Sequence, residues 1–192
     1  MIVTYPMSEK VSKILGVDPG TNITGYSIIS VSGKTCKVVT AGIFDLRSLK
    51  DHQTKLKEIF LQVQEVIETY LPDHLAVEAP FYGKNVQSML KLGRAQGVTM
   101  AAAMTMGLEI YEYAPKRIKQ AITGSGLASK EQVAAMLQSR LGYKIDERHL
   151  DASDALATAV CHWQQLSSPL GAAGAKHKDW KSYVKAHQDK LA

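Results

Sequence analysis

Four carboxylates stand where their types and surroundings could do chemistry: Asp18, Glu78, Asp151 and Asp154. Asp18 follows the apolar run Ile14-Leu15-Gly16-Val17 and precedes the turn residues Pro19-Gly20-Thr21, so it ends a strand at the lip of a core. Glu78 closes the run His74-Leu75-Ala76-Val77 in the same way. Asp151 and Asp154 are spaced i, i+3, on one face of the first turn of a helix. Taken alone, that pair needs no more than the ~0.3–1 kcal/mol an acid gains from a helix N-terminus. Four anions gathered together repel and raise one another's pKa. A bound divalent cation relieves the repulsion, and an all-oxygen donor set favours Mg²⁺ or Mn²⁺ over Zn²⁺. Two such ions ~3.5–4 Å apart form the clamp used for in-line phosphoryl displacement.

Other routes find little support. There is no G-x-S-x-G elbow and no G-x-x-x-x-G-K-[ST] loop, which speaks against a serine hydrolase and a Walker-type ATPase. Cys36 and Cys161 are far apart, with no metal-type spacing and no evident His partner, and are expected to be buried thiols in a reducing compartment. His149 is the histidine nearest the acids in sequence and is expected to be a solvated loop residue.

The elements that must position the acids follow from periodicity. Strands are expected at residues 13–17, 25–32 and 35–45, joined by short turns into an antiparallel meander. A helix over 49–71 carries Leu56, Ile59, Phe60, Val63, Ile67 and Tyr70 on one face. Residues 74–78 read as a buried parallel strand. A second helix over 85–106 carries Gly93, Gly97 and Ala101 four residues apart, a flat stripe that another backbone can approach closely. A strand at 109–113, a short helix at 115–121, a helix from an N-cap at Ser129 to Leu141, and a last helix over 150–165 complete the series. The order βββαβαβααα is an α/β fold with a mixed sheet, in which ligands sit at the carboxyl ends of strands. Asp18 and Glu78 share one sheet edge if their strands are parallel neighbours. The Pro19-Gly20-Thr21 turn is expected to leave room for a phosphate beside Asp18.

With 192 residues the chain suffices for one full domain plus a tail, and 45% hydrophobic residues rule out global disorder. A net charge of +5 permits a polyanionic partner. Residues 1–12 read as a leader, 13–167 as the domain, and 168–192 as a flexible basic tail with Lys176, Lys178, Lys181, Lys185 and Lys190. No signal peptide or run of membrane-span length is evident, so a cytoplasmic protein without membrane contact is expected.

Five blocks in order resemble the RuvC family of bacterial Holliday junction resolvases. They are Leu15-Gly16-Val17-Asp18-Pro19-Gly20-Thr21 with Thr24-Gly25-Tyr26; Ala76-Val77-Glu78-Ala79-Pro80-Phe81 with Lys84-Asn85; Leu90-Lys91-Leu92-Gly93-Arg94-Ala95-Gln96-Gly97-Val98; Glu112-Tyr113-Ala114-Pro115-Lys116-Arg117-Ile118-Lys119-Gln120; and Asp151-Ala152-Ser153-Asp154-Ala155-Leu156-Ala157. The resemblance spans residues 13–166. It implies a ribonuclease-H-like mixed β-sheet (βββαβαβ core) flanked by helices. It implies a homodimer that, with Mg²⁺, resolves four-way DNA junctions by symmetric nicks in two strands of like polarity during recombination and repair. By motif position Asp18, Glu78, Asp151 and Asp154 are the catalytic, metal-binding acids. Phe81 matches a stacking aromatic near the junction centre, and Lys119 and Lys130 match basic residues beside the scissile strand. The second helix, with Gly93, Gly97 and Ala101, matches the dimer element, and a RuvA-RuvB branch-migration complex is the implied partner. Three positions depart from the common pattern: Arg94-Ala95-Gln96 reverses a polar pair, Asn22 replaces a basic residue, and Ser27 replaces Gly.

In this setting Phe81 and Tyr82, just after Glu78, suit base stacking at ~1–3 kcal/mol per base, with Lys84 following. Lys116, Arg117, Lys119 and Lys130 suit phosphates, which position DNA without reading its sequence. A solvated helix face is the alternative for these four, and packing on the sheet is the alternative for the glycine stripe. Two other functions are weighed. A module that binds junctions without cutting is disfavoured by the intact acids. An actin/sugar-kinase-like nucleotide phosphohydrolase, whose phosphate loops also use an Asp-x-Gly-Thr turn, is disfavoured by a chain too short for two lobes.

Overall fold

A computed structural model describes residues 11–80, 85–144 and 150–167. The leader, apart from residues 11 and 12, the whole tail, Phe81, Tyr82, Lys84 and His149 lie outside the described residues.

The first three strands, β1 (Ser12–Asp18), β2 (Ile23–Ser32) and β3 (Thr35–Asp45), form the expected meander. Helix α1 (His52–Tyr70) starts at Asp51, whose carboxylate accepts from the Thr54 backbone N–H at 2.8 Å, and stops at Leu71 in the left-handed region. Its buried residues are Ile59, Val63, Val66 and Ile67, with Leu56, Phe60 and Tyr70 packed beside them. Strand β4 (His74–Glu78), helix α2 (Val86–Thr105), strand β5 (Glu109–Tyr113), α3 (Pro115–Thr123), α4 (Lys130–Leu141) and α5 (Leu150–Ser167) follow. Ser129 caps α4 in a reciprocal capping box with Gln132.

The five strands lie in the order β3-β2-β1-β4-β5, with β1–β4 and β4–β5 parallel. This is the ribonuclease-H-like mixed sheet expected from the sequence. Asp73 fixes the register of β1 on β4, because its Oδ2 accepts from both the Ser12 hydroxyl and the Lys13 N–H at 2.8 Å.

Alternation along the strands splits the core in two. Ile14, Ile29 and Ala76 face α3, α4 and α5, whereas Leu15, Val17, Ile28, Leu75 and Val77 face α1 and α2. Helix α5 lies close on β1 and β2 because two glycines leave it room. A Cβ on Gly16 would overlap the Ala155 carbonyl and come within 2.8 Å of the Ala159 Cβ, and one on Gly25 would overlap the Asp151 carbonyl. Helix α2 turns Ala95, Gln96, Thr99, Ala102 and Ala103 inward, toward the core it shares with α1 and the sheet. Gly93 and Gly97 are exposed, with nothing within 4 Å of where a Cβ would sit, so the stripe is not spent on the sheet.

Candidate active site

Asp18, Asp151 and Asp154 come together at one edge of the sheet. One oxygen from each lies within 4.8 Å of one from every other, which suits a shared cation. Asp18 is delivered by β1. The two helix acids reach it because α5 begins above β2, where Gly25 lets its first turn settle against the strand. Glu78 is outside that set of three but beside it. Val17 pairs with Val77, so the next step of the parallel register sets Asp18 next to Glu78, and both lie on the α5 face.

The electrostatics are those of crowded, partly buried anions with one lysine, Lys130, paired among them. Burial, then the charge of Asp154, push the Asp18 carboxyl up to about 7, and Lys130 only partly offsets them. Burial, then Asp18 and Asp154, push Glu78 up to about 8. Asp154 is raised by burial against the opposing pull of Lys130. All the donors are carboxylate oxygens, so the group fits a hard divalent cation.

Lys130, the first residue of α4, forms an ion pair and hydrogen bond with Asp154. Burial pulls its ammonium down, but the bond to Asp154 and the charges of Asp154, Asp18 and Asp151 outweigh that and raise it. Lys119 on α3 is half-buried, and its charge acts on both Glu78 and Asp154. Lys116 is exposed, with its stem against Gly126. Arg117 is turned elsewhere, donating to Gln165 Oε1 at 2.6 Å, eleven residues (~16 Å of helix) along α5 from Asp154.

Further along α5 from the acids lies a polar cluster that sequence reading did not single out. Fully buried His162 of α5 shares hydrogen bonds with the Tyr113 hydroxyl (2.7 Å) and His74 (3.1 Å), tying α5 to β5 and β4. Burial, then His74, pull its imidazole down to about 4. Its only sequence signal is a polar residue in an otherwise apolar helical stretch.

The three departures also find places. Asn22 accepts from Lys55 Nζ at 2.7 Å. Gln96 donates to Glu112 at 2.7 Å. Ser27 is fully buried, and its hydroxyl has no partner among the described residues. In the β1–β2 turn, Thr24 Oγ1 bonds both the N–H and the carbonyl of Gly20. A Cβ on Gly20 would overlap the Ile23 carbonyl, so the turn itself requires the glycine. Cys36 and Cys161 are free thiols, both pushed up to about 11 by burial, and are poor nucleophiles.

Similarity to known proteins agrees with this geometry. The family model described as "Crossover junction endodeoxyribonuclease RuvC" matches residues 14–162. The protein of that name from Porphyromonas gingivalis is 50% identical over 188 residues, covering 96% of this chain and all of the relative. A solved structure of Thermus thermophilus RuvC in complex with Holliday junction substrate superposes with a TM-score of 0.75 at 30% identity, over 81% of this chain and 95% of that one. The yeast mitochondrial Holliday junction resolvase, at 14% identity and a TM-score of 0.59 over 86% of this chain and 84% of its own, shares the fold. An acid cluster at the expected sheet edge, on this fold, with identity extending over nearly the whole chain, places the chain in the RuvC family of crossover junction endodeoxyribonucleases.

Proposed function

We propose that this chain is a divalent-cation-dependent endonuclease that resolves four-way DNA junctions, in recombination and repair, by paired symmetric nicks in two strands of like polarity. The observation that carries the reading is the convergence of Asp18, Asp151 and Asp154 beside Glu78 in a chain of this family. Asp18, Glu78, Asp151 and Asp154 would hold the cation, Mg²⁺ with Mn²⁺ as a substitute and two ions per site. Held there, such ions would supply charge neutralisation at the attacked phosphate and an activated water for in-line displacement.

The chain's own residues do the rest. The strand ends hold Asp18 and Glu78 rigidly, and the first turn of α5 presents Asp151 and Asp154 from the other side. Lys130 is the internal counter-ion of the metal-free cluster and is free to turn to a phosphate once that charge is balanced. Lys119 adds positive potential over Glu78 and Asp154. Phe81 and Tyr82, three and four residues after Glu78, are proposed to stack on unpaired bases, with Lys84, Lys116 and Arg117 on the flanking backbone.

The molecule works as a homodimer through the exposed face of α2. Val86, Leu90 and Met104 are exposed apolar residues of that helix, and Gly93, Gly97 and Ala101 let a second helix approach. Residues 13–167 are the nuclease domain, consistent with a family match over 14–162; residues 1–12 are a leader and 168–192 a basic tail. Among the described residues no helix is long and apolar enough to cross a membrane, and the proposed setting is the bacterial cytoplasm alongside a RuvA-RuvB complex. Incubation of the purified protein with a synthetic mobile four-way junction and Mg²⁺ is expected to give paired, symmetric, ligatable nicks. Junction binding without metal-dependent nicks would sink the reading.

A further inference from the structure

We propose that a lysine-lined cleft behind the β1–β2 turn is a second phosphodiester site, which grips the DNA backbone as it leaves the acids; the proposal rests on the nuclease reading. The cleft, about 360 Å³, is bounded by Thr21 of the turn, Lys50, His52 and Lys55 at the start of α1, and Ser88 and Lys91 in the first turns of α2. Three chain segments far apart in sequence therefore bring three lysines and two hydroxyl-bearing residues to one opening.

No carboxylate of the described residues lines the cleft. Asp51, next to Lys50, is turned away, its carboxylate taken up by the N–H and hydroxyl of Thr54 at 2.8 and 2.6 Å. Lys50 and Lys91 have no ion-pair partner among the described residues, whereas Lys55 is held over the turn by Asn22. His52 Nε2 is buried and unpartnered among the described residues. Cations left without anions suit an anionic ligand that brings its own oxygens.

The position selects the ligand. Thr21 is three residues from Asp18, so their Cα atoms are within about 11 Å. The acids lie on the α5 face of the sheet and the cleft on the α1/α2 side of the same edge, so one strand can pass over both. Lysines act as point charges and hold a backbone without reading bases.

The test uses the full chain and a fluorescently labelled synthetic four-way junction, titrated across a salt series without divalent metal. Lys50→Gln/Lys91→Gln leaves the Lys55–Asn22 hydrogen bond intact. It is expected to weaken binding and make the slope of log K against log[salt] shallower by roughly 0.9 for each phosphate that is no longer neutralised. Lys34→Gln/Lys37→Gln, the same change in net charge at the distant β2–β3 hairpin, is expected to keep the parent slope. Equal slopes for the two double variants, whether both shallower or both unchanged, overturn the cleft while leaving the nuclease reading standing. Failure of the parent to bind the junction overturns both.

Discussion

At the residue scale, Asp18 is the acid on which the cluster turns. It is half-buried with the other two convergent carboxylates and feels both helix acids. Asp18→Asn removes one charged oxygen donor at nearly constant shape. Loss of several kcal/mol of charge stabilisation corresponds to a fall of ~10³-fold or more in single-turnover cleavage. Junction affinity in a gel-shift assay is expected to stay near the parent value, since it rests on phosphates and shape. A variant that still cuts at the parent rate would take Asp18 out of the metal site. The same crowding has a pH signature in metal-free protein. Asp18 and Glu78 titrate near 7 and 8 in the fold, so between their ordinary values and these the native state binds more protons than the unfolded one, and stability falls as pH rises. His162, held down near 4, acts oppositely below about pH 6.5, where only the unfolded chain protonates it. The unopposed window is therefore pH 6.5–8. There the melting temperature of metal-free protein is expected to decline, and saturating Mg²⁺ is expected to flatten the decline by favouring ionised carboxylates. A rising or flat metal-free profile would contradict the crowding. The four acids were legible because each ends an apolar strand or opens a helix. The Lys130–Asp154 pair was not, since 24 residues separate its members and only the packing of α4 against α5 brings them together.

At the element scale, the site depends on how closely α5 sits on the sheet. Strand and helix positions were readable from alternation and three-four spacing: β3, β4 and β5 fall where the pattern puts them, and the Ser129 cap is where α4 begins. The role of Gly16 and Gly25 was not readable. A glycine within a strand pattern says only that some backbone comes near, and here the backbone belongs to a helix more than 120 residues later. Gly25→Ala tests the close approach directly, because its methyl group would overlap the Asp151 carbonyl and force the first turn of α5 outward. Overpacking of this kind costs ~1–3 kcal/mol. A lower melting temperature is expected, together with a smaller Mg²⁺-induced rise, since Asp151 and Asp154 move with that turn. A parent-like melting temperature and metal response would show that α5 is not positioned by this strand.

At the scale of the whole molecule, one acid cluster serves one strand, so symmetric cleavage of a junction needs a second cluster in fixed relation to the first. A two-fold pair would supply it through a single self-complementary interface. The sequence left the α2 stripe between two uses, and the fold leaves Gly93 and Gly97 open to the second. The core shared with α1 and the sheet takes Ala95, Gln96, Thr99, Ala102 and Ala103, while Gly93 and Gly97 are exposed, as are Leu90 and Met104. Gly97→Leu discriminates well because the protomer has open space there. Within one chain the new Cβ meets nothing within 4 Å, and the change replaces a poor helix former by a good one, a gain of up to ~1 kcal/mol. Between two chains the added side chain would hold the helices apart. The variant is therefore expected to sediment as a folded monomer with parent-like helical content. On a four-way junction it should bind more weakly and leave mostly single nicks, because the second cut no longer follows from an attached partner. A variant that remains dimeric in sedimentation and still makes paired cuts would move the interface to another face; one that is monomeric yet still cuts both strands in concert would break the link between the α2 interface and symmetric resolution.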